Sequence, residues 1–175
     1  MIVVWRGVPG SGKSFLARSV APVLGAVILD KDDVRACLFP GDTVEYSTAQ
    51  DDFVIGLMLE AVRWHLERNP KRAIFLDGRV HGKAAQVELV SKFASALDAE
   101  FRVVECVCRR ETALARLRAD QQLGTHPAKN RDEALLDKQL AQWEPLSHPV
   151  IRIDTDQDAE KCVAQVLAAL VSERE

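Results

Sequence analysis

The run Gly7-Val8-Pro9-Gly10-Ser11-Gly12-Lys13-Ser14 constrains this chain more than any other stretch. It fits G-x-x-x-x-G-K-[ST], the phosphate-binding P-loop. Ahead of it, Ile2-Val3-Val4-Trp5 reads as a short buried strand. After it, the spacing of Leu16, Val20 and Leu24 predicts a helix starting at Lys13. Strand, glycine-rich turn and helix N-terminus are the context such a loop needs. Glycine lets the backbone turn back and aim its N–H groups at one point. The helix start adds positive potential there. Gly7, Pro9, Gly10, Ser11, Gly12, Lys13, Ser14 and Phe15 are therefore the candidate ATP-binding residues. In this geometry Lys13 reaches the β- and γ-phosphates, and the Ser14 hydroxyl ligates Mg²⁺.

The remaining pattern alternates strands with helices. Strands are predicted at Ala26 to Leu29, Ala73 to Asp77, Phe101 to Val107 and Val150 to Asp154. Between and after them lie predicted helices over 32–38, 47–68, 86–97, 111–122 and 133–143, and a last one carrying Cys162, Val166 and Leu170. The long helix carries Val54, Leu57, Met58, Ala61, Val62 and His65 at helical spacing. Alternation of this kind means crossover connections and a parallel sheet. The expected fold class is α/β, a three-layer P-loop NTPase fold with five parallel strands. All 175 residues are read as one kinase-sized domain, with the polar segment 123–132 as a lid.

Composition matters mainly for what it excludes. A formal net charge of −3 argues against a dedicated nucleic-acid coat, so nucleic acid is an unlikely partner. No apolar run approaches the ~20 residues of a membrane span. The first apolar run leads straight into the P-loop, unlike a secretion signal. Cys37, Cys106, Cys108 and Cys162 form no C-x-x-C pair, and Cys106 and Cys108 read as packing residues. The expected compartment is a reducing cytoplasm.

Acids gather at the predicted strand ends, where ligands of open α/β sheets bind. Asp30-Lys31-Asp32-Asp33-Val34-Arg35 follows the second strand and Asp77-Gly78-Arg79 the third. Asp30 or Asp32 either caps the next helix or serves chemistry, as a base for an alcohol proton or a metal ligand. Beside a P-loop the chemical reading is preferred. Asp77 ends a continuous apolar strand, the Walker B pattern, and is a candidate Mg²⁺ ligand together with Ser14. His81 reads as a solvated loop histidine.

Arg109, Arg110, Arg116 and Arg118 cluster around one predicted helix, and the lid contains Arg131. Phosphoryl transfer spreads charge over the equatorial oxygens, which arginine stabilises. Arg116 and Arg131 are the candidates, at least one of them contacting phosphate. The loop Asp154-Thr155-Asp156 is placed near the adenine by position alone.

With these residues in view the chain resembles the small P-loop kinases grouped with polynucleotide 5′-hydroxyl kinase. The resemblance rests on Gly7 to Ser14 followed by Asp32-Asp33-Val34-Arg35. It implies that Asp32 is the general base, that Arg35 helps hold the acceptor, and that the strand order is 2-3-1-4-5. Leu135 to Leu146 is similar to the region after the lid in gluconate kinases. The substrate-site signatures of gluconate kinases and the full arginine-rich lid of polynucleotide kinases are not found. The expectation is an ATP- and Mg²⁺-dependent kinase acting on a small-molecule hydroxyl acceptor. A polynucleotide 5′-hydroxyl kinase and a regulatory ATPase are the alternatives.

Overall fold

The computed structural model describes residues 1–123 and 132–171. The lid expected at 123–132, including Arg131, lies almost wholly outside the described residues. Among these, five strands form one parallel sheet: β1 (Ile2–Arg6), β2 (Val27–Asp30), β3 (Ile74–Asp77), β4 (Phe101–Val107) and β5 (Ile151–Asp154). Their order is β2-β3-β1-β4-β5, as the resemblance implied. The helices are α1 (Lys13–Leu24), α2 (Lys31–Leu38), α3 (Thr48–Arg68), α4 (Ala84–Ala96), α5 (Arg110–Leu123), α6 (Glu133–Ala141) and α7 (Ala159–Val171).

β1 is apolar at nearly every position because both its faces are covered. Val3 and Trp5 point to a core built with Leu16 and Val20 of α1 and Val166 and Leu170 of α7. Ile2 and Val4 point the other way, onto Val54, Met58 and Val62 of α3 and Val90 and Ala94 of α4. A smaller cluster of Val8, Ala113, Leu117 and Leu136 packs α5 and α6 against the P-loop.

Of the positions read at helical spacing, α3 buries Val54, Met58 and Val62, but its buried face is not confined to them. Ile55, Leu59 and Leu66 are buried, whereas Leu57 is exposed and His65 only half-buried. The segment Phe53 to Leu59 is apolar at every position but Gly56, so periodicity alone does not select a face. The sheet selects it.

Turn chemistry fixes where the helices begin and end. The Asp30 side chain accepts the Asp32 N–H at 2.9 Å and caps α2. The Ser47 hydroxyl accepts the Gln50 N–H at 3.1 Å and caps α3. Strand register then sets the site. Asp30 lies opposite Asp77 across β2 and β3, and Arg6 lies opposite Glu105 across β1 and β4.

Candidate functional site

α1 begins directly at the end of the P-loop, and its N-cap Gly12 supplies no side-chain cap. Its first turn carries no acidic residue. The orphan N–H groups of a helix start remain available to an anion in such an arrangement. Gly10 has φ 78°, and a Cβ there would run into the Ala113 carbonyl. Only glycine lets the loop close so tightly on α5. The buried Ser11 hydroxyl has no hydrogen-bond partner.

Two cavities open beside this loop. The first, about 790 Å³, is lined by Gly10 to Leu16, by Arg116 of α5 and by Thr155 and Gln157 after β5. The second, about 300 Å³, is lined by Pro9, by Asp32 and Arg35 of α2, by the 78–83 loop and by one side of α6. They share Lys13 and Ser14 and no other residue. Gly7 lies behind the loop, its N–H donating to the Val80 carbonyl at 3.2 Å.

In the first cavity Arg116 is held by three bonds. It donates to the Gly10 carbonyl at 3.3 Å, to the Thr155 hydroxyl at 3.2 Å and to the Thr155 carbonyl at 2.7 Å. Thr155 in turn donates to the Ser11 carbonyl at 2.8 Å, so the loop after β5 is tied to the P-loop. The neighbouring arginines face elsewhere. Arg109 pairs with Asp156, while Arg110 and Arg118 pair with Glu133. Phe15 lines the first cavity and is exposed.

The capping role left open between Asp30 and Asp32 falls to Asp30. That leaves the Asp32 carboxylate to the second cavity, 3.2 Å from Lys31 Nζ and 3.3 Å from Arg35 Nη1. Asp33 is exposed and lines neither cavity. Asp51 of α3 joins this cluster, meeting Lys31 at 3.0 Å and also the Arg35 guanidinium. Burial holds Lys31 below the usual lysine range, and Asp32 works against that shift. Asp51 was not legible in the sequence. It sits far downstream on a helix where a lone acid reads as surface charge, and only the packing of α3 brings it here.

Asp77 is wholly buried, and neither carboxylate oxygen has a hydrogen-bond partner. Burial, and then the Asp77 charge, push the Asp30 carboxyl up to about 6, while the Asp32 N–H acts in the opposite sense. A buried carboxylate with orphan oxygens, crowded by a second carboxylate, is what a cation relieves. The described residues contain no cluster of three or more metal-ligating side chains. Mg²⁺ is usually held by one or two protein groups with water and substrate phosphates. Ser14 and Asp77 fit such an ion, and Gly10 to Phe15 fit a chain of phosphates.

His81 corrects the sequence reading. It is 1% exposed rather than solvated, with φ 52° and both ring nitrogens unpartnered. Burial, with Arg79 and Lys13 nearby, lowers its pKa to about 3. Beside it the buried Arg79 pairs with Asp52 at 2.6 Å. Arg6, also buried, pairs with Glu105 at 3.3 Å and lies 4.1 Å over the Trp143 ring. It donates to the carbonyls of Gly82 and Glu144 as well. The Glu144 N–H reaches the same Gly82 carbonyl at 2.8 Å. These bonds staple the end of α6 to the 78–83 loop, so two walls of the second cavity are fixed to each other.

The five-stranded order, the P-loop between β1 and α1 and the paired cavities define a small P-loop kinase fold. The chain belongs to the AAA domain family AAA_33, whose profile matches residues 2–146. No curated protein sequence is matched. Among solved structures, the Mycobacterium tuberculosis APS kinase CysC in complex with AMPPNP and APS is 20% identical. It covers 96% of each chain, with a TM-score of 0.69. A gluconokinase from Sinorhizobium meliloti 1021 is 18% identical over 98% of this chain and 91% of its own, with a TM-score of 0.67. Chaetomium thermophilum Kti12 in complex with ADP-AlF3 is 14% identical over 98% of each chain, with a TM-score of 0.70. At these identities the likeness is one of fold. No helix among the described residues is long and apolar enough to cross a membrane.

Proposed function

We propose that this chain is an ATP- and Mg²⁺-dependent phosphotransferase that moves the γ-phosphate onto a hydroxyl of a small-molecule acceptor. The observation that carries the reading is the meeting of two cavities at Lys13 and Ser14 alone. A transfer enzyme must hold donor and acceptor on opposite sides of the travelling group, in line. Lys13 and the P-loop amides hold the phosphates. Ser14, with Asp77 directly or through water, holds magnesium, which when bound neutralises charge on the β- and γ-oxygens. Asp32 faces the acceptor hydroxyl and takes its proton as the new O–P bond forms and the bond to ADP breaks. Arg35 positions the acceptor. Arg116 is the candidate for stabilising charge on the transferring group, a role also given to Arg131, which lies outside the described residues.

The P-loop kinase domain and ATP supply imply a cytoplasmic enzyme. A polynucleotide 5′-hydroxyl kinase is the second reading, favoured by the lysines and arginines of the second cavity. A regulatory ATPase needs no such cavity beside the γ-phosphate position. The test is ADP release across a panel of sugars, sugar acids, nucleosides and 5′-hydroxyl oligonucleotides, with mass spectrometry on each hit. Slow hydrolysis alone, stimulated release with one alcohol, a phosphorylated product and loss of that product in Lys13→Ala are expected. Release stimulated only by a protein partner, with free phosphate as the sole product, overturns the kinase reading.

A further inference from the structure

The second cavity carries charges that the transfer step does not use. Lys31 and Arg35 are balanced by Asp32 and Asp51, and Arg79 by Asp52. Asp30 is met by Arg18 at 3.2 Å. Two lining cations are left over. Lys83 comes from the 78–83 loop and Lys138 from α6, and neither has an ion-pair partner among the described residues.

These donors belong to different walls of one small space. The 78–83 loop and α6 adjoin, since a Cβ on Gly82 would lie 3.7 Å from Gln139 Oε1. The cavity holds about 300 Å³, the low end for ligand pockets, so one small molecule touches several walls at once. Gln86, Gln139 and Gln142 line it too and offer amide donors and acceptors. Unpaired cations lining a small cavity invite an anion, and charge-assisted bonds to phosphate or carboxylate are the strong ones. The demand grows during the reaction, because an Asp32 that has taken a proton no longer balances Lys31 and Arg35.

We infer that the acceptor is a small hydroxylated anion, its phosphate or carboxylate held by Lys83 and Lys138 while its hydroxyl faces Asp32. The inference rests on the acceptor role given to this cavity above. Its test needs no turnover. Inorganic phosphate, acetate and chloride are titrated, at matched ionic strength, into the full chain saturated with AMPPNP and Mg²⁺, with calorimetry and thermal unfolding as readouts. Phosphate or acetate is expected to bind saturably in the millimolar range and chloride is not. The preferred ion then names the acceptor's anionic group.

Lys83→Gln/Lys138→Gln, both at exposed positions, is expected to weaken that binding about tenfold or more with unchanged thermal stability of the ligand-free chain. Equal behaviour of all three ions overturns the inference. So does saturable binding that survives the double substitution and disappears in Lys13→Gln, which assigns the anion to the P-loop. The two readings fail separately. A chain that binds phosphate through Lys83 and Lys138 but phosphorylates no alcohol sinks the kinase assignment and keeps the anion site. A chain that phosphorylates a neutral alcohol and ignores both anions does the reverse.

Discussion

Asp32 lies between Lys31 and Arg35 at the edge of the acceptor cavity, and one substitution tests its role cleanly. Asp32→Asn keeps the size and removes the basic oxygen. Turnover is expected to fall by roughly 10²–10⁴ with nucleotide affinity nearly unchanged. Helix capping is not an alternative explanation for such a loss, because the cap of α2 is Asp30. A near-normal rate in single-turnover kinetics refutes the base assignment. His81 makes a second test. Its folded pKa of about 3 lies below the ordinary 6.5, so the unfolded chain binds the extra proton first. Stability is therefore lost as pH falls from about 6.5 toward 3, at no more than about 1.4 kcal/mol per pH unit for one proton. Asp30 works in the opposite sense, favouring the fold as pH falls through about 6. His81→Asn keeps a residue that tolerates positive φ and removes the proton site. Urea unfolding at pH 7.5 and pH 5 is expected to show a smaller acid loss in the variant. An identical loss excludes His81 as a source of acid sensitivity.

At the scale of elements, the staple between β1, the 78–83 loop and the end of α6 depends on a buried cation. Arg6→Met strands Glu105, which is itself buried, with Arg152 at 3.8 Å as its remaining ion-pair partner among the described residues. A loss of about 3–5 kcal/mol is expected, the scale for breaking a buried pair from one side. Arg6→Met/Glu105→Met removes both charges and is expected to recover most of it. Hydrogen exchange adds a local readout: α6 amides exchange faster in both variants, because the bonds to Gly82 and Glu144 are gone in each. Unchanged exchange in α6 contradicts the staple. Elements were the most legible level of the sequence. The loop from Gly7 to Ser14 and the run from Ile74 to Asp77 each combine a composition with a position that few structures satisfy. Loops were less legible. His81 follows a turn-forming Asp77-Gly78 pair, and such stretches read as solvated unless another segment covers them. Here Arg6 and Glu144, distant in sequence, bind the neighbouring Gly82 carbonyl. The contribution of Asp51 was hidden for the same reason.

At the scale of the whole molecule, charge bears on the remaining alternative. The chain has a net charge of −3 and a pI of about 5.8, and its surplus lysines line one cavity. Fluorescence anisotropy with 5′-hydroxyl oligonucleotides is expected to show weak binding with a shallow salt dependence. A polynucleotide partner releases counterions and gives a steep slope of log K against log salt. A steep slope promotes the polynucleotide reading over a small acceptor. The two cavities meet only at Lys13 and Ser14. On the proposed reading, the 78–83 loop and α6 line the second cavity alone, so acceptor fit is adjustable there without altering a residue of the first cavity. A library confined to the 78–83 loop and the inward side of α6 would retrain this scaffold to a different alcohol while leaving its fuel supply intact.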